Sequence, residues 1–144
     1  MKILFLEDNV STGKLGEWLI NGGYQVDRAQ NFIDACDYLE SGKQYNAAIV
    51  DLDMHRGFLP PDLISVDKEN YPGWVFYEHV LRTIEPLSKR TIILSALVFT
   101  FKENLPKGYN GECLISKQDP TFHKKVIEQL KAFAAENQLK PENG

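Results

Sequence analysis

Six residues stand where reactive groups are easiest to gather: Glu7 and Asp8 after the run KILFL, Asp51 after AAIV with Asp53 two positions on, Ser95 after TIIL, and Lys117 after LIS. Each of these short apolar runs ends on a polar group, so if the runs lie side by side their ends meet. Carboxylates forced together repel, and the cheapest remedy is a hard divalent cation with oxygen ligands, which makes Mg²⁺ the expected ion. A carboxylate beside such a cation can attack a phosphoryl group and become an aspartyl phosphate. An ammonium and a hydroxyl then suit the remaining phosphoryl oxygens as charge develops on them. None of this needs a histidine, and His55, His79 and His123 show no metal-ligand spacing. Each residue also has a plainer use. Acidic residues at strand ends suit the dipole of a following helix, serine is common where strands stop, and Lys117 alone would be an ordinary surface lysine. Their shared placement favours the chemical reading.

The elements that must position these groups can be read along the chain. Lys2 to Leu6 is apolar without helical period, as expected of a buried strand. Leu15, Trp18 and Leu19 mark a helix that Gly22-Gly23 stops, and Tyr24 to Ala29 is a second strand. Asn31 is placed to cap a helix presenting Ile33, Cys36 and Leu39 up to Ser41-Gly42, and Ala47 to Val50 is a third strand closing on Asp51. Residues 55–71, with Pro60 and Pro61 and no sustained period, form a long loop of the kind that is functional or mobile, in which Phe58, Leu59 and Ile64 favour docking. Gly73 to Leu87 carries a helical stripe of Val75, Phe76, His79, Val80 and Ile84, broken by Pro86. Arg90 to Ser95 and Gly111 to Ser116 are the remaining strands, and 98–107 between them is either a short helix or an irregular crossover. Asp119-Pro120 opens a last helix striped by Phe122, Val126, Leu130 and Phe133 or Ala134. Alternating strands and helices imply an α/β fold, a doubly wound five-stranded parallel sheet of the flavodoxin-like type. In such sheets ligands sit at the carboxyl ends of the strands, where the six residues fall.

Bulk properties agree with one ordinary domain. The 144 residues, 43% hydrophobic and 25% charged, suffice for one core. A net charge of −4 with scattered Lys and Arg gives no footprint for nucleic acid. The absence of a long apolar run or a signal-like start leads us to expect a cytoplasmic protein that does not enter a membrane. Cys36 and Cys113 lie in apolar-periodic segments and are expected as free core thiols.

The segments MKILFLEDN, AAIVDLDM, TIILSA and CLISK, in that order, resemble the response-regulator receiver family of two-component signalling. The resemblance spans residues 1–138 apart from the 55–71 loop, and leaves 139–144 as a frayed tail. It implies that Asp51 is the phosphoacceptor, that Glu7 and Asp8 are a metal-binding acidic pair, and that Asp53 contributes its backbone carbonyl to the metal. It further implies that Ser95 is the switch hydroxyl and that Lys117 contacts the phosphate. The implied partners are a sensor histidine kinase or phosphotransfer protein upstream and a protein target downstream. No enzymatic activity beyond slow self-phosphorylation and self-dephosphorylation is implied. Because the sequence stops soon after the last helix, a stand-alone receiver is expected.

Three departures bear on this reading. Leu114 occupies the position, three before the lysine, where the family often has an aromatic switch residue. Gln118 replaces the proline that usually follows the lysine, so a trans peptide is expected there. His55 replaces the proline common after the phosphoacceptor strand, next to what looks like an insertion. They motivate a pseudo-receiver that binds partners without phosphorylation. Another alternative takes Asp51-Leu52-Asp53 as the DxD of a haloacid-dehalogenase-like phosphohydrolase, although Glu7-Asp8 precedes that strand and no further acidic pair follows Lys117. Glu7 with the DxD is also similar to the toprim nucleases, but their glycine after the glutamate is missing.

Overall fold

Strands buried on both faces have no solvent side to reserve for polar residues, which is why uninterrupted apolar runs become the centre of a parallel sheet. A computed structural model describes residues 1–7, 13–52, 54, 55, 59–66, 68, 70–96, 109, 110 and 113–139. The elements are β1 (Lys2–Leu6), α1 (Gly13–Asn21), β2 (Gln25–Ala29), α2 (Phe32–Glu40), β3 (Ala47–Asp51), α3 (Pro72–His79), β4 (Thr91–Ser95), β5 (Leu114–Ser116) and α4 (Phe122–Leu139). The five strands form one sheet in the order β2-β1-β3-β4-β5, with every pair parallel. This is the expected α/β architecture.

Alternation along the strands divides the core in two. Leu4, Leu6, Ala48, Val50 and Ile93 face a cluster closed by Phe32 and Ala35 of α2 and by Trp74 to Tyr77 of α3. Ile3, Phe5, Ala47, Ile49, Ile92, Leu94 and Ile115 face Leu15 and Leu19 of α1 and Val126, Leu130 and Phe133 of α4. Helices thus cover both faces, and the strand ends are left to meet at one edge.

Local signals explain most boundaries. Asn31 caps α2 as expected, its Oδ1 accepting from the Asp34 amide at 2.7 Å. Gly23 and Gly42 end the first two helices with φ of +91° and +85°, the left-handed conformation that glycine adopts without strain. Pro72 opens α3, where its missing N–H costs nothing. Both cysteines are free thiols; Cys113 is buried and Cys36 partly so.

Four expectations are corrected. Trp18 does not join Leu15 and Leu19 in the core: it is 52% exposed and lies over His123 of α4, ring centroids 5.4 Å apart. Ile33 is 47% exposed, because the buried stripe of α2 starts one residue earlier, at Phe32, and runs through Ala35 with Cys36 and Leu39 packed against it. The helix read over 73–87 stops at His79 and continues as two 3-10 turns, Leu81–Thr83 and Leu87–Lys89. Finally, α4 begins at Phe122 rather than at Pro120, and Asp119 instead closes a turn by accepting from the Thr121 amide at 2.8 Å. Among the described residues the cis peptide is Glu85–Pro86, and Lys117–Gln118 is trans as expected.

The described part of the 55–71 stretch is anchored at a few apolar residues. Leu59 and Leu63 are buried in the α2/α3 core, with Val66 and Tyr71 against it, and turns close through Leu63 N to Pro60 O at 2.8 Å and Val66 N to Leu63 O at 3.0 Å. Leu63, not the partly exposed Ile64, is the second anchor beside Leu59. Phe58, the segment 98–107, the apolar stretch Leu97–Phe101, whose composition leads to the expectation of core packing ahead of a partner-binding surface, and residues 140–144 lie outside the described residues.

Candidate functional site

The site is assembled by strand register. Leu6 of β1 pairs with Val50 of β3, so the next residues, Glu7 and Asp51, end adjacent strands. Neighbouring strands run about 4.8 Å apart, which places the two carboxylates well inside one Debye length of about 10 Å. Both are buried: Glu7 is 0% and Asp51 2% exposed. The main chain around them is pinned, since Glu7 N donates to Ala29 O at 3.0 Å and Leu52 N donates to Leu94 O at 2.8 Å.

Lys117 arrives from the far side of β4. Asp51 is level with Leu94 and Ser95 with Ser116, so the residue after Ser116 leaves the sheet beside the end of β3. Its amide donates to Ser95 O at 2.9 Å. Its Nζ reaches Asp51 Oδ1 at 3.0 Å, in a pair whose side chains are only 15% and 3% exposed. Water is largely excluded from this contact, which strengthens the attraction and makes the loss of either partner expensive.

Ser95 is fully buried at the end of β4. It stands one residue past Leu94, which is level with Asp51 on the neighbouring strand. The structure therefore gathers Glu7, Asp51, Ser95 and Lys117 at one edge. Asp8 and Asp53 lie outside the described residues, and among the described residues no group of three or more His, Cys, Asp or Glu is placed to hold a metal. Leu114 is buried against the α2/α3 core, an aliphatic side chain where the resemblance often has an aromatic one.

One neighbour has no counterpart in the sequence reading. Gly73, the second residue of α3, donates its amide to Leu52 O at 3.1 Å, and a Cβ built there would lie 2.4 Å from Asp51 O and 2.7 Å from Leu52 Cα. A glycine after a proline looks like any helix start, so nothing in the sequence marks this contact. Beyond Lys117, Asp119 has its carboxyl lowered to about 2, chiefly by the hydrogen bond from Lys125 and then by those from Thr121. His123 is held below the ordinary imidazole range, first by burial and then by Lys14.

No protein-family model matches this chain, and no curated protein matches it either. Solved structures do. A sensor protein from a Polaromonas species superposes with a TM-score of 0.62 at 17% identity, over 93% of this chain and 96% of that one. The receiver domain of a sensor histidine kinase from Pseudomonas aeruginosa, with a magnesium ion coordinated in its active-site cleft, gives 0.60 at 21%, over 93% and 97%. A response regulator from Thermotoga maritima in complex with magnesium and beryllium fluoride gives 0.58 at 21%, over 92% and 97%.

Proposed function

We propose that this chain, whose fold is that of response-regulator receiver domains, is a receiver that accepts a phosphoryl group on Asp51 and signals through protein contacts. The observation that carries the reading is the nearly dry contact of Lys117 Nζ with Asp51 Oδ1 at 3.0 Å, beside the buried carboxylate of Glu7.

The donor set suits Mg²⁺. Glu7 and Asp51 offer hard carboxylate oxygens from rigid strand ends, and one ammonium cannot neutralise two ionised carboxylates. In this reading Glu7, Asp8, Asp51 and the backbone carbonyl of Asp53 would hold the ion. Bound there, it would supply positive charge for the phosphoryl oxygens.

The remaining work falls to the chain. A carboxylate oxygen of Asp51 attacks phosphorus in line with the donor's bridging bond; that bond breaks, its electron pair leaves with the donor, and an acyl phosphate forms. Lys117 orients the carboxylate beforehand and moves to a phosphoryl oxygen as negative charge spreads there. Ser95, at the end of β4, is the hydroxyl for another phosphoryl oxygen. The phosphodonor would be a sensor histidine kinase or a phosphotransfer protein, and the output a protein target. No helix among the described residues is long and apolar enough to cross a membrane, and a cytoplasmic setting accords with such partners.

Incubation with acetyl phosphate and Mg²⁺ followed by intact mass measurement tests the reading. A phosphate-sized gain, absent in Asp51→Asn and abolished by EDTA, is the expected result. Leu114 favours a second reading, a pseudo-receiver engaging partners regardless of phosphate, because an aliphatic residue packed in the core lacks the ring that couples to the switch hydroxyl in the family. A wild-type chain that gains no mass under these conditions supports that alternative. Rapid Mg²⁺-dependent turnover of a generic phosphomonoester would instead support the phosphohydrolase reading.

A further inference from the structure

We infer that Gly73 is a positioning residue for Asp51, holding the last peptide of β3 against the start of α3 so that the carboxylate meets Lys117. The inference rests on the receiver reading for its effect on phosphorylation but not for its geometry.

A Cβ at position 73 would lie 2.4 Å from Asp51 O, 2.7 Å from Leu52 Cα and 3.0 Å from Asp51 C. All three are backbone atoms, so no flexible side chain can swing aside. The strand has little room to yield either. β3 lies between β1 and β4 in the sheet, and Leu52 N is tied to Leu94 O at 2.8 Å. Gly16 in α1 shows the contrast, since a Cβ there would meet only the Phe5 ring, at 3.7 Å, an ordinary contact.

Gly73 also makes a directed bond, donating to Leu52 O at 3.1 Å. Two features therefore clamp the peptide that follows Asp51: a hydrogen bond and a surface with no space for a methyl group. The same residue receives the chain from the 59–71 stretch, whose other anchors, Leu59 and Leu63, are buried in the core below. The stretch is thus fastened at both ends, and its exit lies on the backbone of Asp51.

Restoring an ordinary contact of 3.4 Å requires α3 and the end of β3 to part by about 1 Å, and misplacement of reacting groups by that much costs up to about 100-fold in rate. Gly73→Ala should therefore slow phosphoryl uptake at least tenfold at saturating acetyl phosphate, with the half-saturating concentration unchanged. Gly16→Ala serves as the control and should keep the wild-type rate.

The test follows the mass gain against acetyl phosphate concentration in the full chain with Mg²⁺, and records the ¹⁵Nζ resonance of Lys117 by NMR. A lowered limiting rate together with a moved Lys117 resonance is the expected result. Gly73→Ala that folds, takes up phosphate at the wild-type rate and leaves Lys117 unmoved overturns the inference. If that variant does not fold, the wild-type Gly73 amide resonance decides on addition of beryllium fluoride and Mg²⁺: it shifts if the clamp exists, and an unmoved resonance refutes it. If the wild type takes up no phosphate, the receiver reading fails by itself, and the Lys117 resonance in Gly73→Ala still decides the geometric claim in either direction.

Discussion

Replacing Lys117 by methionine keeps most of the stem and removes the charge, and its cost can be worked from the burial of the pair. Asp51 would keep its carboxylate where only 3% of the side chain is exposed, with the buried Glu7 on the adjacent strand end. Breaking a buried ion pair from one side costs about 3–5 kcal/mol, mostly the penalty of the uncompensated charge left behind. Lys117 retains 15% exposure, so the lower end applies, about 3 kcal/mol. With roughly 4 °C lost per kcal/mol in a domain of this size, Tm should fall by about 10 °C. The assay is urea unfolding at neutral pH in EDTA, performed as a double-mutant cycle with Asp51→Asn. In the Asp51→Asn background no stranded charge remains at that position, so Lys117→Met should cost less by about 2 kcal/mol. Added Mg²⁺ should restore part of the loss in the single variant, because a divalent cation substitutes for the ammonium; at one hundred times its dissociation constant, binding to the folded state adds about 2.7 kcal/mol. Equal costs of Lys117→Met in the two backgrounds would refute the premise that the aspartate carries the penalty.

Two further outcomes follow from the packing and the local charges. Leu59→Ala should destabilise by about 2–5 kcal/mol because the side chain is fully buried, while Ile64→Ala, at 38% exposure, should stay within about 0.5 kcal/mol; equal effects in urea unfolding would contradict the docking of the 59–66 segment. The imidazole of His123 is lowered in the folded state, first by burial and then by Lys14, so the unfolded chain binds the proton more readily. Its contribution is present above the ordinary imidazole value of 6.5 and is lost as pH falls from there through the folded value. His123→Gln should flatten stability against pH in that window, and an unchanged slope would exclude His123 as its source.

The strands were legible because central parallel strands are covered on both faces and read as continuous apolar runs; β1, β3 and β4 needed nothing more. Asn31 and the glycine stops were equally readable, since a cap or a left-handed turn depends on a few neighbouring atoms. Helix faces were read less well. In α2 the apolar period fits a stripe from Phe32 better than one from Ile33, but a helix without its neighbours does not say which stripe turns inward. Trp18 was misplaced for the same reason, as its resting surface on His123 belongs to a helix more than 100 positions away.

What the sequence alone determined is the inventory: carboxylates, a hydroxyl and an ammonium at the ends of apolar runs, and from them the chemistry those groups could share. Only the tertiary structure decided which of them meet. Asp51 and Lys117 are 66 positions apart, and their contact depends on the sheet order that sets β4 between β3 and β5, a property of all the strands together. The crowding of Gly73 against the end of β3 is likewise invisible along the chain, because excluded volume acts between segments brought together by folding and leaves no periodic trace in residue order.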